Sequence, residues 1–194
     1  MFGLFKQRID PRPLIVVHLN ARLQPLDRGE AFEDPLDDWL REAKLGEVCG
    51  AGSAFIPGEG VQSCDVEVRL NALDETSLVR LAERLDAMGA PVGSKLIVEE
   101  SGAEIDIGVN EGLALHLNGV DLPDHVYAST SADELVEKLE AALAGAGRVL
   151  SHFDGPRETS LFLYGGAYAA MERAIAPVLA NYPLCQGARL EKIA

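Results

Sequence analysis

The sequence has few of the features that mark a disulfide framework, a metal centre or a membrane span. Its three cysteines, Cys49, Cys64 and Cys185, form no CxxC pair, so neither a zinc ribbon nor a disulfide-stapled domain is indicated. Reduced thiols suit a reducing compartment, and we expect a cytoplasmic protein. No apolar run approaches the roughly 20 residues of a spanning helix. Residues 1–8 mix apolar and basic side chains too closely for a signal peptide, so we expect a soluble chain.

Basic residues are also scarce. Lysine and arginine number 17 against 31 aspartate and glutamate residues, which gives a formal net charge of -14. A surface of this charge repels nucleic-acid phosphates and anionic lipid headgroups. We therefore expect neither a nucleic-acid nor a membrane partner. The same charge serves solubility and would also attract a basic protein.

Catalytic and cofactor motifs are absent from the primary structure. The four histidines, His18, His116, His125 and His152, show no HxH or HExxH spacing, and no nucleophile, base and orienting group lie together. The glycine-rich stretch 50–53 falls within a strand pattern, where a phosphate loop does not form. We expect no metal, no cofactor and a non-enzyme, although the members of a triad can be distant in sequence.

What the sequence does contain is a regular alternation of strand and helix patterns. In the first half the order is strand, helix, strand, strand, helix, strand, which is the order of the ferredoxin-like unit. Asp34 with Pro35 is predicted to begin the first helix, and Asp74 to cap the second. The strand patterns lie at residues 14–23, 47–56, 61–70 and 95–99.

The second half repeats this order after a predicted hairpin at residues 103–117. A short strand at 125–128 and a capping box at Ser131 come next, and strands are predicted at 148–153, 159–164 and 188–193. Pro177 should kink the last helix or end it early. The predicted fold class is α+β: two tandem ferredoxin-like (βαββαβ) half-domains, at 1–102 and 121–194, joined by an extra β-hairpin at 103–120.

One polar patch is predicted on the face of the first sheet that the helices leave open. His18, Asn20 and Arg22 alternate with apolar residues along one strand, and Asp65, Glu67 and Arg69 do so along another. Antiparallel pairing would bring Arg22 near Asp65 and His18 near Arg69, with Asn20 and Glu67 between them. The patch is either a solvated face with ion pairs or a ligand or recognition surface, with His18 able to exchange protons near neutral pH.

Two further segments are candidates for an interface. Phe162 and Tyr164 alternate with Leu161 and Leu163, so both faces of this strand must be covered, by the first half, a second copy or a partner. Residues 27–42 are rich in acids and include Asp34, Asp37 and Asp38. The helix dipole explains part of that cluster, and solubility or docking of a basic partner explains the rest.

These patterns favour a non-catalytic binding or protein-interaction module that associates with itself or with a protein partner. Two alternatives remain open. One is an enzyme or small-metabolite sensor that uses the open sheet face or the cleft between the halves, and the other is an acidic inhibitor of a basic toxin or nuclease.

Overall fold

The computed structural model describes residues 10–194, so the segment tested for a signal peptide lies outside the described residues. Its strands are β1 Leu14–Leu19, β2 Gly46–Ile56, β3 Gly60–Leu70, β4 Ser94–Val98, β5 Ala103–Ile107, β6 Glu111–Asn118, β7 Arg148–Asp154, β8 Glu158–Gly165 and β9 Arg189–Lys192. Its α-helices are α1 Pro25–Arg28, α2 Asp34–Glu42, α3 Glu75–Ala87, α4 Asp124–Ser129, α5 Ala132–Leu143 and α6 Tyr168–Asn181.

The strands form two antiparallel sheets, and the fold is mixed α+β, as the sequence predicts. The first sheet has the order β2-β3-β1-β4-β5 and the second the order β7-β8-β6-β9. In each sheet the strand that comes first along the chain therefore lies in the interior, between two strands that follow it much later. A sheet of this kind buries one face under its own helices.

Alternating side chains build the core of the first sheet. Ile15, Val17 and Leu19 are fully buried, whereas the intervening residues of β1 are half-buried. The buried row belongs to one cluster with leucines of α2 and α3, namely Leu36, Leu40, Leu81 and Leu85. Each such side chain contributes roughly 1.5–3 kcal/mol when it is fully removed from water, so the period-two pattern fixes which face the helices cover.

The second sheet forms its own core in the same way. Leu113, Leu115 and Leu117 of β6 are buried in a second cluster, together with Leu135, Leu139, Met171 and Ile175 from α5 and α6. The opposite face of this sheet is not uniformly open, because Phe162 and Tyr164 of β8 are 1% and 2% exposed.

The first half of the chain covers these two aromatic residues. Phe162 and Tyr164 belong to the same buried cluster as Leu23 and Phe32, and the backbone N–H of Arg22 donates to Tyr164 Oη at 2.7 Å. Of the three covers considered for this strand, the structure therefore selects the first half. Phe162 and Tyr164 are thus not available to a second copy or a partner as interface residues.

The predicted hairpin at 103–117 does not form. β5 pairs with β4 in the first sheet, whereas β6 pairs with β8 and β9 in the second. The segment between β5 and β6 is bound to the first half instead. The Gly108 N–H donates to Asp86 Oδ1 and the Val92 N–H donates to the Asn110 carbonyl, both at 2.7 Å. Gly108 has a φ of 109°, which directs the chain from one sheet to the other.

Three local predictions compare differently with the structure. The helix α2 does begin at Asp34, as predicted, but helical turns at Pro25–Arg28 and Gly29–Glu33 lead into it, so Asp34 is not the first residue of the helical segment. Residues 125–128 are helical, in α4. The last helix, α6, continues through Pro177 to Asn181, so proline does not end it there, because packing against the second sheet outweighs the one backbone bond that proline removes.

We expect Tyr164→Phe to lower the free energy of unfolding by about 1–3 kcal/mol, because it leaves the Arg22 N–H without its acceptor. Urea unfolding of wild type and variant gives this value. Tyr168→Phe is the matched control, since the described residues offer the half-buried Tyr168 hydroxyl no hydrogen bond. Equal stability of the two variants would contradict the assigned contact between the halves.

Candidate functional site

The polar patch predicted on the first sheet is present, but in a different register. His18 pairs with Asp65, Val16 with Glu67 and Leu14 with Arg69. His18 Nδ1 lies 2.8 Å from Asp65 Oδ1. The predicted pairs, Arg22 with Asp65 and His18 with Arg69, are wrong, because β1 ends at Leu19 and the register lies four residues from the predicted one.

The other four residues of the predicted patch lie apart from one another and make separate contacts. Asn20 donates through its Nδ2 to the Val92 carbonyl at 2.9 Å, and Arg69 donates to the Arg12 carbonyl at 2.6 Å. Glu67 is exposed, and Arg22 has turned toward the second sheet. The six residues therefore form no single site.

The acidic segment is only partly available. Asp37 accepts hydrogen bonds from Arg41 Nε at 2.7 Å and from the Val48 N–H at 2.8 Å, and these contacts, the bond from Arg41 first, lower the pKa of its carboxyl group. Asp34 and Asp38 remain exposed. A basic partner could thus meet two of the three predicted aspartates.

A cleft of about 610 Å³ lies at the boundary between the two sheets. Its floor is the polar part of the second sheet, where His116, Ser160 and Glu191 lie on three neighbouring strands. One wall is Arg22 with the β2–β3 turn, and the other is formed by the segments around Asp121 and Arg157. Sites for small molecules fall in the range of roughly 300–1,000 Å³.

His116 is the central side chain of this floor. It is 8% exposed, its Nδ1 lies 2.8 Å from Ser160 Oγ, and its Nε2 lies 3.1 Å from Glu191 Oε2. Burial, assisted by the positive charge of Arg189, lowers the pKa of His116, against the opposing effects of Glu191 and Glu158. The imidazole is therefore mainly neutral at pH 7.

The hydrogen-bond partners fix the tautomer of the neutral ring. Burial alone would raise the pKa of Glu191, but Arg22 and His116 together lower it, so this group is a carboxylate that can only accept. His116 Nε2 therefore carries the proton, and Nδ1 accepts the hydrogen bond from the Ser160 hydroxyl group. A hydroxyl group beside an unprotonated imidazole nitrogen is the arrangement of a nucleophile and its base.

Arg22 differs from the other two arginines of the cleft. Arg189 donates to Glu158 at 3.1 Å and Arg157 to Asp121 at 3.4 Å. Within residues 10–194 the Arg22 guanidinium makes no hydrogen bond, and its nearest acid is Glu191 at 3.5 Å.

The position of Arg22 is nevertheless well defined. Its backbone N–H is bound by Tyr164, its guanidinium carbon lies 5.7 Å from the centre of the Phe162 ring, and its side chain is only 23% exposed. The guanidinium of Arg22 is thus held in place at the edge of the cleft without a strong ion pair.

Sequence reasoning selected Arg22 but missed His116, Ser160 and Glu191. Because His116 alternates with Leu115 and Leu117, the sequence by itself predicts a side chain that points to solvent. That alternation does place it on the face opposite α5 and α6, but the first half and neighbouring polar groups cover this face. The pattern of Gly112, Ala114, His116 and Asn118 opposite the leucines was the available signal.

Searches of protein-family models and of curated proteins find no match. Among solved structures, a candidate monooxygenase of Fusobacterium nucleatum is 11% identical, with a TM-score of 0.31 over 93% of this chain and 91% of that one. The regulatory subunit of aspartate kinase from Thermus thermophilus is 16% identical, with a TM-score of 0.27 over 87% and 93%. The first two RRM domains of a yeast poly(U)-binding protein are 12% identical, with a TM-score of 0.25 over 94% and 99%. Similarities of this size support no transfer of fold or function.

Two further findings concern the described part of the chain only. Residues 10–194 hold no group of three or more histidine, cysteine or acidic side chains placed to bind a metal ion. Within the same range, no helix combines the length and the apolar character needed to cross a membrane.

We predict that Arg189→Gln raises the pKa of His116 and that Glu191→Gln lowers it, because the first variant removes a repelling charge and the second an attracting one. Titration of the imidazole signals by NMR measures both shifts. Arg157→Gln removes an arginine of the same cleft that is paired with Asp121, and it should leave the midpoint unchanged. A common shift in all three variants would contradict the assigned neighbours.

Proposed function

We propose that the protein is a binding module whose ligand is a small polar molecule held in the cleft between the halves. The observation that carries this proposal is the buried His116, hydrogen-bonded on both sides and lining an opening of about 610 Å³. A few oriented polar groups on a rigid sheet are what a specific small-molecule site requires.

The proposal includes the finer architecture. We infer two ferredoxin-like halves, since the order β2-β3-β1-β4 recurs as β7-β8-β6-β9 and each set follows the βαββαβ order along the chain, with α4 as an additional short helix. Strand pairing favours a boundary at residues 108–110, in place of a separate hairpin at 103–120. The cleft then lies at the seam of a two-part molecule, a common position for ligand sites.

The remaining parts of the proposal rest on composition. Three free thiols favour a cytoplasmic location. A basic protein partner, including the toxin or nuclease of the inhibitor hypothesis, would meet the exposed carboxylates of Asp34 and Asp38. Acidity alone supports that partner, so the small-molecule cleft is the stronger proposal.

A second candidate function, hydrolysis of an ester, is favoured by the contacts of Ser160. Its Oγ would bond to the carbonyl carbon while His116 Nδ1 takes the hydroxyl proton and then delivers it to the departing alkoxide. Water would then release the acyl group by the same route. Glu191 would orient the imidazole and stabilise its charged form. Ser160 is only 7% exposed, which limits the access of an ester to its Oγ and ranks this candidate second.

We expect polar metabolites to stabilise the protein in a thermal-shift screen and Gln62→Trp to abolish the effect, because Gln62 lines the cleft on its first-sheet side. The matched control is Glu67→Trp, the same enlargement on the exposed face of the same strand. Loss of stabilisation only in Glu67→Trp would move the ligand to the face predicted from sequence. A library without any stabilising compound would contradict the proposal.

We predict that any hydrolysis of p-nitrophenyl acetate by wild type falls at least about a hundredfold in Ser160→Ala, since that variant removes the nucleophile. Release of p-nitrophenol measures the rate. Ser151→Ala, a buried serine of the neighbouring strand β7, is the control. Equal activity of wild type and Ser160→Ala, or none in either, would remove the second candidate.

A further inference from the structure

The Arg22 guanidinium is the one cationic group of the cleft, among the described residues that line it, without a hydrogen-bonded acid. Its carboxylate neighbour, Glu191, lies 3.5 Å away and directs its other oxygen to His116 Nε2 at 3.1 Å. An arginine presents a planar fork of donors that matches two oxygens of one anion. A single contact at 3.5 Å leaves most of this capacity unused.

Arg22 is also prepared for binding before a ligand arrives. The Tyr164 hydroxyl group holds its backbone, and the Phe162 ring lies against its guanidinium group. A side chain held in this way loses little rotamer freedom on binding, and this lowers the free-energy cost of recognition. By contrast, Arg189 and Arg157 lie at the exposed rim and already have carboxylate partners.

Most carboxylates around the site are already paired with basic side chains. Glu158 and Glu191 both contact Arg189, and Asp121 contacts Arg157. Glu59, in the β2–β3 turn, is the exception and lies at the exposed edge. The unused capacity at the cleft floor is therefore that of a hydrogen-bond donor.

We propose that the cleft binds a small oxyanion, a carboxylate or phosphate group, which takes the place of Glu191 on the Arg22 guanidinium. The proposal names the ligand class of the site and rests on the function proposed above. On binding, Glu191 turns fully to His116, which takes up a proton and becomes a cation between Glu191 and Glu158. Arg189 opposes this charge from β9, and Ser160 is neutral, so one proton is coupled to one anion.

Two non-titrating probes test this ligand class. Sodium acetate stands for a carboxylate and sodium sulfate for a tetrahedral phosphate group, each added at constant ionic strength against sodium chloride. We expect a saturable shift of the Arg22 Nε–H signal in NMR spectra with one or both probes, and the more effective probe identifies the source of the oxyanion. Methylammonium chloride should give no such shift. A shift of this signal with methylammonium alone, or the absence of a shift with every probe, overturns the proposal.

Variants separate this proposal from a merely structural role for Arg22. Glu191→Gln should strengthen binding several-fold, because it removes the competing carboxylate, and a gain of affinity cannot result from misfolding. Arg22→Lys should weaken it at least about tenfold, because lysine lacks the planar fork, while Arg157→Gln should leave it within about twofold. Unchanged or weaker binding by Glu191→Gln overturns the proposal.

The pH dependence gives an independent readout. Affinity in the wild type should increase as pH falls from 8 to 6, by at most about tenfold per unit, which is the limit for one coupled proton. His116→Gln keeps a side chain that can donate and should flatten this profile. An equally steep profile in His116→Gln overturns the coupling. Compounds from the thermal-shift screen that lose their effect in Gln62→Trp but stabilise Arg22→Lys as well as wild type would contradict the oxyanion proposal. Such compounds would still support a binding function of the cleft.

Discussion

The structure depends on how the second sheet covers its two faces. One face is sealed by α5 and α6, as in any two-layer α+β unit. The other carries Phe162 and Tyr164, whose exposure to water would be costly. Their burial in the cluster that contains Leu23 and Phe32 joins the halves. The hydrogen bond from the Arg22 N–H satisfies the Tyr164 hydroxyl group, which would otherwise oppose this burial.

The same packing creates the cleft. The apolar part of the uncovered face is sealed by the first half, whereas its polar part, with the buried His116 and Ser160, forms the floor of the cleft. Because β6 and β8 are interior strands pinned by their neighbours, these polar groups are held on a rigid support. Burial beside this seam keeps His116 neutral near pH 7 and Arg22 partly desolvated, and both conditions favour selective binding over simple solvation.

The period of the apolar residues predicts the α+β class and the buried face of each strand. A shift by one residue would expose the whole apolar row of a strand, so this face is strongly determined. Pairing between strands was less accessible. The predicted contact of Arg22 with Asp65 assumed that β1 extends to residue 23, but the chain leaves the sheet after Leu19 to cover Phe162. Likewise, Asn110-Glu111-Gly112 has the composition of a hairpin turn, yet tertiary bonds to Asp86 and Val92 override this local preference. The cleft itself joins residues more than 70 positions apart, such as His116 and Glu191, and no local pattern reports such a contact.

The contact between Arg22 and Tyr164 is the most direct place to test this account. The measurement is a nuclear Overhauser effect from the Arg22 amide proton to the ring protons of Tyr164, recorded in a sample that mixes isotope-labelled with unlabelled protein so that contacts within and between chains are separated. The account predicts a strong intramolecular signal that does not change on dilution. A signal found only between molecules, or a Tyr164 ring in contact with water, would contradict it.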